Sequence, residues 1–453
     1  MYFVYSLLLT LAFLVLLPHF LIDAIRHGKY VAGFRERFGT LAPFDSNGKP
    51  VVWLHCVSVG ESQAARPLVQ GIRKRFPDHT LVVSTITLTG QNLAQELFGN
   101  DAAKIFFFPF DWRWTVRRAL AVIKPAAVLI METEIWPGFL SECRAAQVPV
   151  AIVNGRLSLQ SFRRYKWIKG FIARVVNCLS LAVMQTAADA ERIHMLGLPS
   201  SQVFVSGNLK FDAGRMPVRN SRASEFRERF KLTDTTPLII AASTHAPEER
   251  LILKVFQELR AQSVPTLRLL MAPRHPERFA EVSSLLATSG LAWVNRNSTI
   301  SILDRQCDVI LLDTIGELQA LYPLASVVFV GGSISKSGGH NILEPAAVGA
   351  AIVTGAHTHN FDAIVKAFVK ERAIIQLPSL SDDELQIKLK DAFTELLSDI
   401  SRRQELGQRA KTLVEQNLGA TERTLALLDA MISGQNTPKR RSGAVSAEGL
   451  YTA

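Results

Sequence analysis

The sequence lacks the short motifs that mark four common enzyme classes. It contains no G-x-G-x-x-G after a predicted strand, no G-x-x-x-x-G-K-[ST], no H-E-x-x-H and no G-x-S-x-G. These motifs bind dinucleotides, nucleoside triphosphates or zinc, or they carry a nucleophilic serine. Their absence removes the main support for a dehydrogenase, a P-loop kinase, a zinc peptidase or an α/β-hydrolase.

Cysteine is scarce, and its residues are scattered. The four cysteines (Cys56, Cys143, Cys178 and Cys307) include no C-x-x-C pair. A disulfide framework or a structural zinc site therefore finds no support, and a reducing compartment fits the chain best.

Charge is missing from the N-terminus. Residues 1–22 contain no Asp, Glu, Lys or Arg, and basic residues follow directly, beginning at Arg26. A helix of this length measures roughly 33 Å, which is enough to cross the apolar core of a bilayer. A cleaved signal peptide is disfavoured because no basic segment precedes the stretch and no clear A-x-A site ends it. We predict a membrane anchor over residues 1–24 with the remaining chain on the cytoplasmic side. Pro18 leaves open whether the segment spans the bilayer or lies in its surface, and a buried core helix is the alternative.

The remaining composition is that of a folded, basic protein. A chain of 453 residues exceeds the size at which single cores usually divide, and its 48% apolar residues exclude an intrinsically disordered chain. The net charge of +11 indicates an anionic partner. Nucleic acid, anionic lipid and a phosphorylated substrate all fit that charge.

Short β-branched runs alternate with helical patterns from residue 51 onward. Such continuous apolar runs with helical crossovers predict parallel sheets that are covered on both faces. The predicted strands cover residues 51–56, 81–85, 105–108, 127–131, 148–153, 181–185 and 203–206 in the first half, and 238–243, 267–272, 309–312, 327–330, 351–354 and 374–377 in the second. The fold class is therefore α/β, with two doubly wound domains and a ligand in the cleft between them.

The domain boundaries follow from changes in composition. Residues 25–212 form the predicted first domain, and the polar, basic segment 213–234 forms a linker. Residues 235–433 form the second domain, which ends in helices with an apolar stripe that includes Leu425 and Leu428. Residues 434–453 are small, polar and basic, which predicts a disordered tail.

Three segments of the first half place charged residues after predicted strands. Glu61 opens a helix after HCVSVG, where a carboxylate can accept a proton from an attacking hydroxyl. The helix dipole alone would also favour an acid there and would lower its basicity, hence a base role requires burial or a nearby carboxylate. Glu132 and Glu134 follow another strand and would point to the same side if both are extended. Lys210 follows the last strand and could hold a carboxylate or phosphate.

The second half supplies segments that are suited to an anion. Arg274, in APRHPER, could grip a phosphate with two hydrogen bonds, and Glu317 could accept from ribose hydroxyls. The glycine-rich stretch 331–345 leads into a helix whose free N–H groups form a predicted phosphate site. Glu344 in that first turn suits a ribose or base contact.

Residues 156–174 interleave basic and aromatic side chains. Arg163, Arg164, Lys166 and Lys169 alternate with rings that include Trp167. This mixture suits a helix that lies on an anionic membrane or grips a phosphorylated lipid. No nucleic-acid motif accompanies it, and we therefore expect no nucleic-acid partner. A buried amphipathic helix with snorkelling lysines is the alternative.

Taken together, these segments resemble the bacterial 3-deoxy-D-manno-octulosonic acid (Kdo) transferases of lipopolysaccharide synthesis. The resemblance is carried by RHGKYVAGFRERFG, HCVSVGE, METEIWP, NGRLS, GNLKFD, APRHPER, TIGEL and GGSISKSGGHNILEP, in the family's order, from residue 1 to about residue 355. It implies a GT-B fold and transfer of Kdo, with inversion, from CMP-Kdo to the lipid A precursor lipid IVA. It also implies the inner membrane as location, an anionic membrane surface as partner, and neither a metal nor another cofactor.

The resemblance also implies roles for individual residues. Glu61 is the proton acceptor that activates the sugar hydroxyl of the lipid, and Glu132 and Lys210 stabilise the transition state. The residues implied in CMP binding are Pro273, Arg274, Ile315, Gly316, Glu317, Asn341, Ile342, Leu343 and Glu344. Ile315 stands where the family usually has Met, an apolar exchange that leaves a backbone contact intact.

Two alternatives remain at this point. A nucleotide-sugar 2-epimerase could use the same architecture without a lipid acceptor or the apolar N-terminus. A noncatalytic membrane scaffold would bind the membrane surface without turnover. Acceptor-dependent release of CMP distinguishes transfer from both.

Overall fold

The computed structural model describes residues 2–27, 33–214 and 220–434. By their internal contacts these residues divide into two units. The first unit comprises Met1–Ala213 and Gly419–Ala453, and the second comprises Gly214–Leu418. The predicted tail, 434–453, lies outside the described residues except for its first residue.

Strands and helices alternate through most of the described chain, as the apolar runs predict. The strands are β1 Val51–His55, β2 Thr80–Thr85, β3 Lys104–Phe107, β4 Pro125–Met131, β5 Val150–Gly155, β6 Leu181–Met184, β7 Val203–Val205, β8 Leu238–Thr244, β9 Arg268–Pro273, β10 Trp293–Asn295, β11 Val309–Leu311, β12 Val327–Val330, β13 Ala351–Thr354 and β14 Ile375–Gln376. The helices are α1 Tyr2–His27, α2 Phe34–Arg37, α3 Val59–Arg75, α4 Leu88–Phe98, α5 Arg113–Ile123, α6 Pro137–Ala145, α7 Leu159–Trp167, α8 Lys169–Val176, α9 Ala187–Met195, α10 Leu209–Gly214, α11 Asn220–Arg229, α12 Glu248–Gln262, α13 Phe279–Ala287, α14 Leu318–Leu321, α15 Leu343–Ala347, α16 Asp362–Lys370, α17 Asp382–Ser398, α18 Ile400–Gln416 and α19 Ala420–Ile432.

The first unit is built on a parallel sheet with strand order β3-β2-β1-β4-β5-β6-β7. Every residue of β1 is buried, and successive residues enter different cores. Val51 and Trp53 pack into the cluster on one face, whereas Val52 and Leu54 pack into the cluster on the other. A strand with both faces covered must be apolar throughout, which explains the unbroken run VVWL.

Helix α1 lies against the first unit along one side. The Tyr5 hydroxyl donates to Asp111 at 2.8 Å, and the Trp112 indole N–H donates to Thr10 at 3.0 Å. The Phe13 ring packs edge-on against Trp112, with 5.1 Å between ring centroids. Among the helices of the described residues, none combines the length and the apolar character that crossing a bilayer requires. The predicted anchor over residues 1–24 is therefore not confirmed.

The last helix, α19, belongs to the first unit rather than to the predicted second domain, 235–433. Leu425 and Leu428 are buried in the same core as β1. Asp212 accepts hydrogen bonds from the N–H groups of Gly419 (2.8 Å) and Thr421 (2.6 Å) and thereby caps the start of α19. The helical pattern predicts α19 itself, but a pattern cannot identify the core against which a helix packs.

The second unit repeats the architecture with strand order β10-β11-β9-β8-β12-β13-β14, and its described strand pairs are parallel. Part of the predicted linker, 213–234, is integral to this unit. Helix α11 buries Phe226, and the following Phe230 packs 4.4 Å from it. Arg229 forms a buried ion pair with Asp304 at 2.8 Å. The few apolar residues of this segment are widely spaced in sequence, which is why its composition indicates a linker.

Each predicted strand is present, with boundaries that differ by up to two residues. The α/β fold class with two parallel seven-stranded sheets is thereby confirmed. Strand β10, which has three residues and lies at the edge of the second sheet, is not predicted by the apolar runs. The predicted basic–aromatic helix, 156–174, is interrupted at Ile168, which separates α7 from α8.

Candidate active site

Glu61 lies in the first turn of α3, directly after β1. Ser58 caps the helix, and its hydroxyl donates to Glu61 Oε1 at 3.1 Å. The Val57 N–H donates to Oε2 at 2.8 Å. These contacts hold the carboxylate at the carboxyl end of the strand, where it is only 6% exposed.

The surroundings of Glu61 change its acidity strongly. Burial raises the pKa of Glu61 to about 8, and the charges of Glu132 and Glu134 add to the rise. The hydrogen bonds from Val57 and Ser58 partly oppose it. The first turn of a helix lowers the pKa of a carboxylate and makes it a weak base. At Glu61, burial and the neighbouring negative charges raise the pKa by more than the helix lowers it. Glu61 therefore has the basicity that proton abstraction near neutral pH requires.

Glu132 and Lys210 form an ion pair. Their Oε1 and Nζ atoms lie 3.5 Å apart, and both side chains are partly exposed. Glu132 immediately follows β4 and has a left-handed backbone with φ of 53°. The condition that Glu132 and Glu134 are both extended is therefore not met, and the alternation rule does not apply to this pair. Their charges nevertheless act on Glu61, which is consistent with a shared site.

Lys210 reaches Glu132 because buried Asn154 anchors α10. The Asn154 side-chain oxygen accepts the N–H of Leu209 at 3.0 Å. Strands β1 and β4 are neighbours at the point where the strand order reverses direction. Ligands of doubly wound sheets bind at such a switch point. The fold therefore brings Lys210 into contact with Glu132, and the charge of Glu132 acts in turn on Glu61.

The second unit has a corresponding cluster at the ends of the adjacent strands β9, β8 and β12. Arg274 follows β9 and is exposed, whereas Pro273 is buried at the end of the strand. His245 follows β8 and contacts His340 with 2.8 Å between their Nε2 atoms. Burial lowers the pKa of His340 to about 3, and the positive charge of Arg274 lowers it further. An arginine beside neutral imidazoles offers an anion both charge and hydrogen bonds.

The TIGEL segment is held by two arginines. Arg296 donates to both oxygens of Glu317, at 3.1 and 3.3 Å, and the Thr314 hydroxyl donates to Oε2 at 2.7 Å. Arg222 donates to the Gly316 carbonyl at 3.3 Å. The neighbouring Ile315 side chain is 75% exposed. The loop that contains Ile315 is thus accessible to solvent through its apolar side chain.

The 341–344 segment is organised by Asn341. Its side-chain oxygen accepts the Leu343 N–H at 3.0 Å, and its amide donates to Glu344 at 3.1 Å. Ile342 and Leu343 are completely buried. A ligand at this segment could therefore contact those two residues only through their backbone.

The glycine-rich loop that precedes the predicted phosphate site at the start of α15 contains a carboxylate of the chain itself. The N–H groups of residues 332–335 donate to the buried carboxylate of Glu248. These loop N–H groups are therefore occupied by the chain itself, whereas the predicted site at the helix N–H groups stays a prediction. Sequence reasoning missed Glu248 and Arg296, because both act on loops more than 20 residues away. Within the described residues, no group of three or more His, Cys, Asp or Glu side chains is arranged to hold a metal ion.

The sequence of this chain is similar to those of known proteins from one enzyme family. A family model described as 3-deoxy-D-manno-octulosonic-acid transferase (kdotransferase) matches residues 32–213. The 3-deoxy-D-manno-octulosonic acid transferase of Haemophilus influenzae is 32% identical over 426 residues, which cover 94% of this chain and 97% of that protein. The enzyme of the same name from Bordetella pertussis is 32% identical over 382 residues, covering 83% and 86%.

Solved structures show similarity in fold alone. UDP-GlcNAc 2-epimerase from Neisseria meningitidis, bound to UDP-GlcNAc, matches with a TM-score of 0.52 at 13% identity and covers 81% of this chain and 98% of its own. MurG from Acinetobacter baumannii matches with a TM-score of 0.52 at 13% identity, covering 84% and 99%. The α/β architecture is thus GT-B-like.

Proposed function

The chain belongs to the 3-deoxy-D-manno-octulosonic acid transferase family, and from that premise we propose that it transfers Kdo from CMP-Kdo to lipid IVA in lipopolysaccharide synthesis. The premise rests on the 32% identity that extends over nearly the full length of the Haemophilus enzyme. The reaction is an inverting transfer in which a lipid hydroxyl attacks the anomeric carbon of Kdo and CMP leaves. The epimerase alternative rests on similarity of fold alone.

Glu61 is the proposed base of this reaction. A hydroxyl is a poor nucleophile, and it gains reactivity when a neighbouring base removes its proton in the transition state. The support for Glu61 is its position at the carboxyl end of β1 together with a pKa of about 8. Once ionised, its carboxylate accepts the proton of the lipid hydroxyl as the new glycosidic bond forms.

Glu132 and Lys210 are proposed to stabilise the transition state. An oxocarbenium-like sugar carries positive charge, and its carboxylate and departing phosphate carry negative charge. The ion pair at 3.5 Å offers one group of each sign beside Glu61. Charges that are fixed before the reaction stabilise developing charge without reorganising.

The second unit is proposed to bind CMP. Arg274 offers a cation to the departing phosphate, and the TIGEL and 341–344 segments offer backbone groups and carboxylates to the ribose and base. Arg296 fixes the Glu317 carboxylate through two hydrogen bonds. That carboxylate is therefore held in one orientation before the nucleotide arrives.

The test is transfer by the purified full-length protein with CMP-Kdo, with and without lipid IVA in detergent. We expect CMP release that depends on the acceptor and a lipid whose mass increases by Kdo. Glu61→Gln should lower kcat about 10³-fold, the usual contribution of a general base, without changing the affinity for CMP. The matched control is Glu96→Gln on the exposed face of α4, which should behave as wild type. Turnover without acceptor, or near-normal transfer by Glu61→Gln, would contradict the proposal.

Membrane attachment is the second part of the proposed function. We propose that α1 lies along the surface of the inner membrane, with the catalytic units on the cytoplasmic side. Its packed side contacts the protein, whereas its other side exposes Val4, Leu7, Leu8, Leu11, Leu14, Val15 and Leu16, with Val15 77% exposed. An apolar stripe of this kind enters the headgroup and acyl boundary of a bilayer.

Two basic and aromatic surfaces adjoin α1 and support this attachment. On α7, Trp167 is 91% exposed beside basic residues, and α8 contacts α1 through Phe171 and Tyr2, with 5.8 Å between ring centroids. On α5, exposed Trp114 stands beside Arg118. Exposed tryptophans favour the interface, and arginines and lysines bind anionic headgroups.

Sedimentation with vesicles that contain phosphatidylglycerol tests the attachment. Val15→Asp should weaken binding to the vesicles about tenfold, because a charge replaces apolar area that the bilayer would bury. Ile387→Asp on α17 is the matched control, since Ile387 is equally apolar and 58% exposed but lies in the other unit. Equal binding by both variants would contradict the proposed surface.

A further inference from the structure

A buried carboxylate from α12 fills the loop that follows β12. Glu248 is the first residue of α12 and is 0% exposed. The backbone donors are Ser333 (2.9 Å), Ile334 (2.8 Å) and Ser335 (3.3 Å) to Oε1, and Gly332 (2.8 Å) and His245 (2.9 Å) to Oε2. Successive N–H groups that converge in this way form an anion-binding nest. Here the anion belongs to the chain itself.

The two glycines of the loop make this arrangement possible. A Cβ atom at Gly331 would lie 2.7 Å from Glu248 Oε2, too close for a side chain. Gly332 has φ of 68°, and a Cβ atom there would lie 2.8 Å from the His340 ring. The glycines therefore admit the carboxylate on one side and the imidazole on the other.

His245 and His340 close the network. Their Nε2 atoms lie 2.8 Å apart, and the rings are nearly parallel at 9°. Burial lowers the pKa of both imidazoles, hence both are neutral near pH 7 and one donates while the other accepts. The backbone N–H of His245 is itself bound by Glu248. The carboxylate thus fixes the backbone of His245, whose ring contacts His340.

A backbone hydrogen bond extends the network to the nucleotide segment. The Gly339 N–H donates to the Gly332 carbonyl at 2.7 Å, which fixes the chain just before His340. Asn341 follows immediately and organises residues 341–344. The start of this segment is therefore determined by contacts that lead back to Glu248.

We propose that Glu248 is a positioning residue for the nucleotide site, an internal anion that holds the 331–335 loop and, through His340, the 341–344 segment. The assignment rests on the proposed function, because it assumes that CMP binds at 341–344. It also implies that the donor phosphate does not enter the 331–335 loop. A phosphate there would meet a carboxylate instead of free N–H groups, which leaves the donor phosphate to Arg274.

The test compares CMP affinity by calorimetry, and KM and kcat for CMP-Kdo, in the full-length protein. Glu248→Gln replaces one acceptor oxygen with an amide NH₂ that faces backbone N–H groups. We expect the Kd for CMP and the KM for CMP-Kdo to rise about tenfold, with a smaller change in kcat. Glu258→Gln is the matched control, since it makes the same substitution on α12 at a residue that contacts Lys390. This variant should have the same Kd for CMP and the same KM for CMP-Kdo as wild type.

Chemical rescue distinguishes positioning from a general loss of stability. Glu248→Ala leaves the N–H groups facing a space the size of a carboxylate, and added formate should restore much of the lost CMP affinity while leaving wild type unchanged. If neither Glu248 variant folds, His245→Asn removes the Nε2 contact, leaves the nest intact and should raise the Kd for CMP about threefold.

Four outcomes would decide against the proposals. Wild-type affinity in Glu248→Gln, no formate rescue of folded Glu248→Ala, or wild-type affinity in His245→Asn would overturn the positioning role. A wild-type protein that does not bind CMP would instead refute the proposed function.

Discussion

The raised pKa of Glu61 predicts a specific dependence of transfer on pH. A base acts only when ionised, and with a pKa of about 8 only about one-tenth of Glu61 is ionised at pH 7, against about nine-tenths at pH 9. The value of kcat/KM for the lipid acceptor should therefore rise about tenfold between these pH values. An ordinary glutamate would be fully ionised throughout this range and would give a flat profile.

Removing a neighbouring charge should move this profile. Glu134 is one of the two carboxylates whose charge raises the pKa of Glu61. Glu134→Gln removes that charge and should lower the midpoint of the profile by about one pH unit or less. Glu96→Gln, an exposed control on α4, should leave the midpoint unchanged.

The assay is initial-rate transfer from pH 6 to 10 at saturating CMP-Kdo, because kcat/KM for the acceptor then reports groups on the enzyme before the lipid binds. The Kd for CMP is measured over the same range to separate nucleotide binding from proton abstraction. A profile that is flat from pH 6 to 10, or a midpoint near 8 that Glu134→Gln does not move, would refute the electrostatic reasoning.

Two further predictions concern stability. Because burial penalises the charged form of Glu61, the free energy of unfolding falls as pH rises from the ordinary pKa of 4.5 towards 8. In urea unfolding, Glu61→Gln should therefore have a free energy of unfolding about 2–4 kcal/mol above wild type at pH 9 but little above it at pH 5. An equal gain at both pH values would contradict this prediction. Asp212→Ala removes the cap of α19 and should lower the free energy of unfolding by about 1–2 kcal/mol and speed amide exchange in α19. The control Asp399→Ala removes a cap from α18 and should leave the amides of α19 protected.

Much of the fold follows from local patterns. Apolar runs such as VVWL and VVFV predict buried parallel strands because only a strand covered on both faces tolerates them. Strand β10 escaped prediction because Trp293–Asn295 is short and only partly buried. Helix α11 escaped because its burial depends on Phe226 and on the Arg229–Asp304 pair, and the partner in that pair is distant in sequence.

The candidate site is predicted only as far as strand ends reveal it. Glu61 and Glu132 in the first unit and Arg274 in the second follow apolar runs, and the topology of a parallel sheet brings such positions to one edge of that same sheet. The left-handed backbone of Glu132 is invisible to an alternation rule. The filling of the glycine loop by Glu248 depends on a contact across more than 80 residues. The sequence of the loop alone therefore does not reveal that its N–H groups are occupied.

The assignment of α19 to the first unit has a consequence for how the protein is made. The face of α3 beneath this helix includes Gly71, where even one added methyl group would lie 2.4 Å from Leu425. During synthesis that face remains uncovered until more than 340 further residues have left the ribosome, since α3 ends at Arg75 and α19 begins at Ala420. The first unit is thus completed last, and a nascent chain that stops short of Gly419 would contain Glu61 in a unit that still lacks α19.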